Sequence, residues 1–554
     1  MRSFLSIATT FILFFLFSVS GNAQDLSVLQ WQEDLDYLQK TVHDKHHFLF
    51  KKISKVAWDN AVDSLKSNIP NLQPHEIKVS FARLVAMFEY GHTQIPYTKV
   101  AEEGVLPVNL YHFSDGIYVE GVHKNYRQLL GARLINIGGM PVKEALQKIK
   151  SVVPAENDSY FKAYGLDFLT IPAVLHAQGV IPNQQDSVSL TVKKGGKTTT
   201  INVEKIPMEE LSKDYGFTTS TNDWLGSRDE TETPLYLKKL TERLYYFEYL
   251  PSSNTMYVRQ SSVFNDEKEP LQDFYKRLFK AVDSLNIDKL VYDVRLNGGG
   301  NNYNNKALIK AIMSRPRVNQ PGHLFYLIGR RTFSAAQNLT NEIKNYTEAI
   351  IVGEPTAENI NFFGDAKRLT LPNSKINVYL SFAWWQDMPQ WENQDATIPH
   401  LAAEISFNDY VTNRDPVLET AINYTEGAFV LDPMKHLTQL FTAGKLDQLV
   451  VDAKRIVKDP AYKYNDFEDE FSKTAYRLFQ SGDRETGLII YGFVAEVFPQ
   501  SQAAWNNLAS AFEQIEQYEK AIKAYEKAVN IDTISRIGKN AAQKIIKLKE
   551  INKP

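Results

Sequence analysis

Between Leu244 and Tyr346 the apolar residues fall into short runs that alternate with stretches of helical period, and this alternation constrains the fold more than any other feature. Strand-like runs at Leu244 to Tyr249, Lys289 to Val294 and His323 to Gly329 are separated by helix-like stretches at 271–285, near 304–314 and at 336–346. A strand, a covering helix and a further strand in repeating order imply an α/β core on a mostly parallel sheet. Asp415-Pro416-Val417-Leu418-Glu419 opens what reads as its closing helix.

Within this core, Thr332-Phe333-Ser334-Ala335-Ala336 joins a strand-like run to a helix-like one. A serine on such a turn is lifted out of the sheet, and the first free N–H groups of the following helix can stabilise negative charge developing beside it. Ser334 is therefore a candidate nucleophile. The competing reading is that it simply N-caps the helix, since serine is a favoured cap.

The remaining segments differ in character. Met1-Arg2 precedes an apolar run, Phe4 to Val19, that ends in Gly21-Asn22-Ala23-Gln24, the pattern of a secretory signal cleaved near Ala23. No later segment approaches the ~18 uninterrupted apolar residues of a membrane helix, so no membrane span is expected in the mature chain. Residues 25 to about 95 carry helical spacing, with Leu35, Leu38 and Val42 and then Trp58, Val62 and Leu65 on one face, Pro70 and Pro74 as breaks, and a helix from Ile77 to Phe88. A β-rich module follows from Val105, with a helical insertion near 155–178 and a hairpin of Ser187 to Val192 and Thr198 to Val203 about Gly195-Gly196. In the tail, Trp505, Leu508, Ala509, Tyr525 and Ala528 fill the positions of a tetratricopeptide pair. A shift of 34 residues brings Phe471, Ala475, Leu478, Gly487 and Tyr491 into register. A degenerate pair near 436–458 and a capping helix from about 536 complete the expected stack.

The formal net charge is −3 and no basic stripe is present, which argues against a nucleic-acid partner. There is no cysteine, so a thiol nucleophile, disulfides and thiolate metal sites are excluded. Asp293-Val-Arg295-Leu-Asn297-Gly298-Gly299-Gly300 runs a buried-looking strand into a triple glycine that can aim N–H groups into a pocket. The spacing of a phosphate-binding loop is absent, while a plain tight turn remains an alternative. A serine nucleophile needs a base. His92, after Gly91 on a loop following a helix, is the best placed by context. His43, His46 and His47 lack an acidic partner at metal-ligand spacing and read as an exposed helix end; no metal or cofactor is expected.

The ordered set of Asp293-Val-Arg295 with the glycine run, Arg331-Thr-Phe-Ser334-Ala-Ala, Val352-Gly353-Glu354-Pro355-Thr356, Leu371-Pro372-Asn373-Ser374 and Asp415-Pro-Val-Leu-Glu resembles the C-terminal-processing, or tail-specific, serine peptidases, most of all those akin to the tricorn core. The resemblance spans roughly residues 30–425 and implies an α/β core of the crotonase and caseinolytic-peptidase kind with an inserted PDZ-like module. It implies Ser334 as nucleophile and an oxyanion hole from Gly299, Gly300 and Ala335. The processing branch takes its base from a Gly-Lys pair, but this chain has Ala357-Glu358-Asn359 there, which favours the histidine of the tricorn-like arrangement, His92. That arrangement also has a serine beside the histidine, where this chain has Gly91, and a distant glutamate, whose region holds the candidate orienter Glu392.

The expected organisation is thus a signal at 1–23, a helical segment at 24–97, a PDZ-like module at 98–207, an α/β peptidase core at 208–427 and tetratricopeptide-like helices at 428–554. The expected activity is hydrolysis of unfolded or extended polypeptides outside the cytoplasm, in the periplasm or beyond, with a protein partner on the repeats. A non-catalytic binding protein of the same fold, holding a peptide or hydrophobic ligand, is the alternative.

Overall fold

The computed structural model describes residues 26–391 and 394–551; the expected export signal and Glu392 lie outside them. Helices α1 (Val28–Lys45), α2 (Lys55–Asn68) and α3 (Pro74–Ala86) come first. Ser27 and Gln30 form a capping box on α1. The break between α2 and α3 falls at Pro70 and Pro74, and Pro74 opens α3, because a proline at the first helical position forfeits only an N–H that has no partner there. Leu35, Leu38 and Val42 pack with Trp58, Val62 and Leu65, and the Trp58 indole donates to the Leu84 carbonyl at 2.9 Å.

The histidine cluster corrects one expectation. His46 is buried, with Nδ1 2.9 Å from the Ser381 carbonyl oxygen, and His43 Nε2 lies 2.7 Å from Asp59. Only His47 is exposed. A strand arriving from more than three hundred residues later covers this helix end, and local periodicity carries no trace of such a contact.

An antiparallel sheet follows in the order β1 (Val108–Phe113), β2 (Gly116–His123), β3 (Arg133–Ile137), β4 (Ser187–Lys194), β5 (Lys197–Glu204). The β4–β5 turn is Gly195-Gly196 at φ +54° and +81°, both residues in the left-handed region that a two-residue hairpin of this hand requires. Short helical pieces fill 158–177 between β3 and β4.

The second sheet runs β6 (Tyr245–Leu250), β7 (Thr255–Gln260), β8 (Lys289–Asp293), β9 (Leu324–Ile328), β10 (Ile350–Gly353), β13 (Leu401–Ala402), parallel except for the edge strand β6. Helices α4 (Leu271–Leu285), α5 (Lys306–Met313) and α6 (Ala335–Tyr346) cover one face, and α7 (Pro416–Ile422) covers the other. Alternation of side chains explains the continuous apolar runs: Leu324, Tyr326 and Ile328 enter the first core while Phe325 and Leu327 enter the second. Arg295, at the end of β8, binds Asp293 and Asp415 at 2.7 and 2.8 Å, and Asp415 also caps α7, so these motif residues lock the strand end to the closing helix.

A long hairpin, β11 (Phe362–Thr370) and β12 (Asn377–Trp385), reaches from the core to the N-terminal helices. At its tip the Asn373 and Ser374 N–H groups each donate to buried Asp34 of α1 at 2.7 Å.

The chain ends in antiparallel helices: α8 (Pro433–Thr442), α9 (Leu446–Lys458), α10 (Phe467–Gln480), α11 (Arg484–Val497), α12 (Gln502–Gln514), α13 (Tyr518–Ile531) and α14 (Arg536–Ile551). The repeat positions Ala475, Tyr491, Leu508, Ala509, Tyr525 and Ala528 form the shared core of α10 to α14, while α8 and α9 pack against α10 and α11 in a second cluster. Gly487 lets α10 and α11 touch, since a Cβ there would stand 2.8 Å from the Phe479 nitrogen. Among the described residues, no helix is long and apolar enough to cross a membrane.

Candidate active site

Strand β9 ends at Ile328, and the chain turns through Gly329 to Phe333 before α6 begins at Ala335. Four hydrogen bonds hold Gly329 to Phe333: Gly329 N–H to Thr332 Oγ1, Thr332 N–H to the Gly329 carbonyl, the Thr332 hydroxyl to the Val294 carbonyl, and Phe333 N–H to the Asn297 carbonyl. Ser334 stands at φ +59°, ψ −128°, which for a residue other than glycine costs about 1–3 kcal/mol and is kept only where surrounding structure enforces it. It occupies the N-cap position, yet its side chain makes no capping bond; the Gln337 and Asn338 N–H groups are met by the Ser334 carbonyl instead. Capping therefore does not account for the hydroxyl, which is half-buried and uncommitted among the described residues.

The glycine run is pressed against this turn. A Cβ on Gly299, whose φ is +102°, would stand 2.6 Å from Ser334 Cβ and 3.0 Å from the Ala335 nitrogen. Its N–H is spent, donating to Asn297 Oδ1 at 2.9 Å, so Gly299 shapes the site rather than presenting a donor. This departs from its expected role in an oxyanion hole, and the cause is the buried Asn297 side chain folding back onto the loop. The N–H groups of Gly300 and Ala335 find no protein acceptor among the described residues.

His92 arrives on the loop after α3. Thr93 and Gln94 anchor that loop to β12, through Thr93 Oγ1 to Ser381 at 2.9 Å and the bridge between Gln94 and Tyr379. Gly91 fits where a Cβ would lie 2.4 Å from the Tyr160 ring and 2.8 Å from the Phe333 ring. The imidazole stacks on Phe333 at 4.7 Å between centroids, so the histidine is laid over the residue that precedes the serine. Burial holds its pKa down to about 4, an effect Asp365 partly opposes, so the ring is neutral at neutral pH and able to accept a proton.

The imidazole Nε2 faces Glu358 Oε1 at 3.5 Å, and neither atom has a hydrogen-bond partner. The other Glu358 oxygen accepts the Ser334 N–H. Histidine and serine are thus gathered by one fully buried carboxyl, although no hydrogen bond joins Ser334 Oγ to His92 among the described residues. Beside it, Glu156 accepts Gly91 N–H at 2.8 Å and Asn359 N–H at 3.0 Å, close enough to Glu358 for each carboxyl to shift the other's titration. Burial raises the pKa of both carboxyls, Glu358 the further because Glu156 stands next to it.

Glu156 and Glu358 did not emerge from the sequence as site residues. The one available signal was Glu358 standing where the resembling peptidases carry a lysine; Glu156 has no motif at all. Among the described residues, no group of three or more histidine, aspartate or glutamate side chains is arranged to hold a metal ion.

A family model, the tetratricopeptide repeat, matches residues 503–532, which span most of α12 and α13. Among curated proteins none matches the sequence. Among solved structures, the chain is similar to mature CPAF at 12% identity, covering 73% of this chain and 99% of that one with a TM-score of 0.47. It is similar to the photosystem II D1 C-terminal processing protease at 12% identity, with coverage of 73% and 99% and a TM-score of 0.34. A putative peptidase from Parabacteroides merdae ATCC 43184 is similar at 13% identity, with coverage of 71% and 95% and a TM-score of 0.36. At such identities the chemistry of this chain has to be read from its own side chains.

Proposed function

We propose that this chain is a serine peptidase acting on extended polypeptide, with Ser334 as nucleophile and His92 as general base. The observation that carries the reading is Ser334 itself: an uncommitted hydroxyl on a strained backbone at the head of α6, beside two unclaimed N–H groups and next to Phe333, on which a neutral imidazole is stacked. In the reaction Ser334 Oγ attacks the scissile carbonyl while its proton passes to His92. The oxyanion is received by the N–H groups of Ala335 and Gly300. His92 then returns the proton to the leaving amine, and water, deprotonated by the same ring, releases the acyl group from Ser334. The step requires the ring to hydrogen-bond to Ser334 Oγ once substrate is bound, a tightening that is common between free and occupied sites.

The sequence-based expectations of an export signal, of a PDZ-like module that docks peptide as an added strand, and of a partner on the repeats belong to the same proposal. One observation favours the non-catalytic alternative: the absence of a Ser334–His92 hydrogen bond in this arrangement. Mapping new N-termini after incubation with a denatured proteome decides between them. A peptidase yields termini that vanish with Ser334→Ala; a binding protein yields none with either chain.

A further inference from the structure

Two carboxyl groups buried side by side are costly unless hydrogen bonds and a proton on one of them offset the loss of solvent. Glu156 and Glu358 lie behind the serine and the histidine and touch four pieces of backbone or ring that come from distant parts of the chain. Glu156 takes the N–H of Gly91, immediately before His92, and that of Asn359, immediately after Glu358. Glu358 takes the N–H of Ser334 and faces His92. Remove the two carboxyls and the histidine loop, the serine turn and the segment 356–359 lose their common anchor.

We propose that Glu156 and Glu358 act as one proton-sharing unit that positions His92 against Ser334 and holds negative charge behind the imidazolium formed during catalysis. This rests on the peptidase reading above and names the orienting group that the reading leaves open. The proton belongs on Glu358. Glu156 is favoured as the anion by its two backbone donors and by the positive charge of Lys52, whereas Glu358 has one backbone donor and two acidic neighbours, Glu156 and Asp365. The titratable and charged groups facing the pair are His92 from the loop after α3, Lys52 from the turn after α1, Tyr160 and Tyr164 from the segment 158–177, and Asp365 from β11. Arg331 lies over the Tyr164 ring, at 4.9 Å from its centroid. Both carboxylates act through His92 and Ser334 and so are positioning residues.

The sign of the pH dependence follows. As pH rises above the ordinary carboxylate range the pair gives up its shared proton. Negative charge on Glu358 then faces the imidazole, which becomes the stronger base.

The test uses the full chain, a fluorophosphonate probe, and the variants Glu358→Gln and Glu156→Gln. The second-order labelling rate of the wild type is expected to climb through this titration. Either variant should abolish the climb and lower the plateau about tenfold, the effect of roughly one unit in the basicity of His92. Thermal unfolding provides a readout that needs no catalysis. A carboxyl whose folded pKa is raised loses stability as pH rises from its unfolded value to its folded one, so the wild-type Tm should fall between those values and the fall should shrink in Glu358→Gln. Wild type that labels, with folded variants showing unchanged rate profiles, overturns the positioning role while leaving Ser334 as nucleophile. Wild type that never labels overturns the peptidase reading; the shared proton is then judged by the Tm slopes alone, and identical slopes overturn it too.

Discussion

Gly299→Ala should injure both fold and site, and the structure sets the size of the injury. The new methyl would lie 2.6 Å from Ser334 Cβ, 3.0 Å from the Ala335 nitrogen and 3.0 Å from the Phe333 carbonyl oxygen, all belonging to the turn that carries the serine. Carbon atoms in contact prefer about 3.5–4.0 Å, so the turn must retreat by roughly 1 Å. Overpacking of this kind costs about 1–3 kcal/mol. The φ of +102° adds about 1–3 kcal/mol of backbone strain once a Cβ is present. The sum of about 2–6 kcal/mol is a large share of the roughly 5–15 kcal/mol that keeps a domain folded. A displacement of about 1 Å at the nucleophile would also slow acylation about a hundredfold in whatever protein remains folded. Gly298→Ala is the control: nothing lies within 4 Å of its Cβ, and the cost should stay below about 1 kcal/mol. Denaturant unfolding together with fluorophosphonate labelling of the folded fraction measures both effects. If Gly299→Ala unfolds and labels like Gly298→Ala, the packing of the glycine run against Ser334 described above is wrong.

Three further outcomes are expected. Arg295→Ala strands the carboxylates of Asp293 and Asp415, which are 1% and 8% exposed, and should cost about 3–5 kcal/mol, read as a lowered denaturation midpoint; a loss below about 1 kcal/mol would contradict the buried triad. In Glu358→Gln, where no titrating carboxyl faces the imidazole, the labelling rate should stay level across the neutral range and fall only near pH 4, because burial keeps His92 deprotonated down to that value. A fall centred near pH 6.5 would mean an ordinary, solvated imidazole. Gly487→Ala should destabilise the helical repeats by about 1–3 kcal/mol, since its Cβ would meet Phe479 Cβ at 2.7 Å, and far-ultraviolet circular dichroism on heating would register the earlier loss of helix.

Some of this was legible without coordinates. The alternation of Leu244 to Tyr249, Lys289 to Val294 and His323 to Gly329 with helical stretches reports a sheet buried on both faces, because such burial leaves no polar side in the pattern. The 34-residue offset between Tyr491 and Tyr525 reports stacked pairs in the same way, since each pair repeats one packing problem. The Ser334 turn was visible as a junction between the two periodicities. What stayed hidden depends on contacts between remote segments. Glu156 meets Gly91 across 65 residues and Asn359 across 203, and an isolated glutamate carries no mark of its partners. The burial of His46 under β12 and the capture of the Gly299 N–H by Asn297 are likewise set by tertiary geometry. Asp293, Arg295 and Asp415 were visible as a motif, but their work as a lock between β8 and α7 was not.

The most direct measurement is the site of covalent modification after exposure of the folded full-length chain to a fluorophosphonate, read by peptide mass spectrometry. A single phosphonyl adduct on Ser334, lost in Ser334→Ala and slowed at least a hundredfold in His92→Ala, is the expected result. A folded wild-type chain that remains unmodified, or one modified equally well without His92, would contradict the assignment of these two side chains as nucleophile and base.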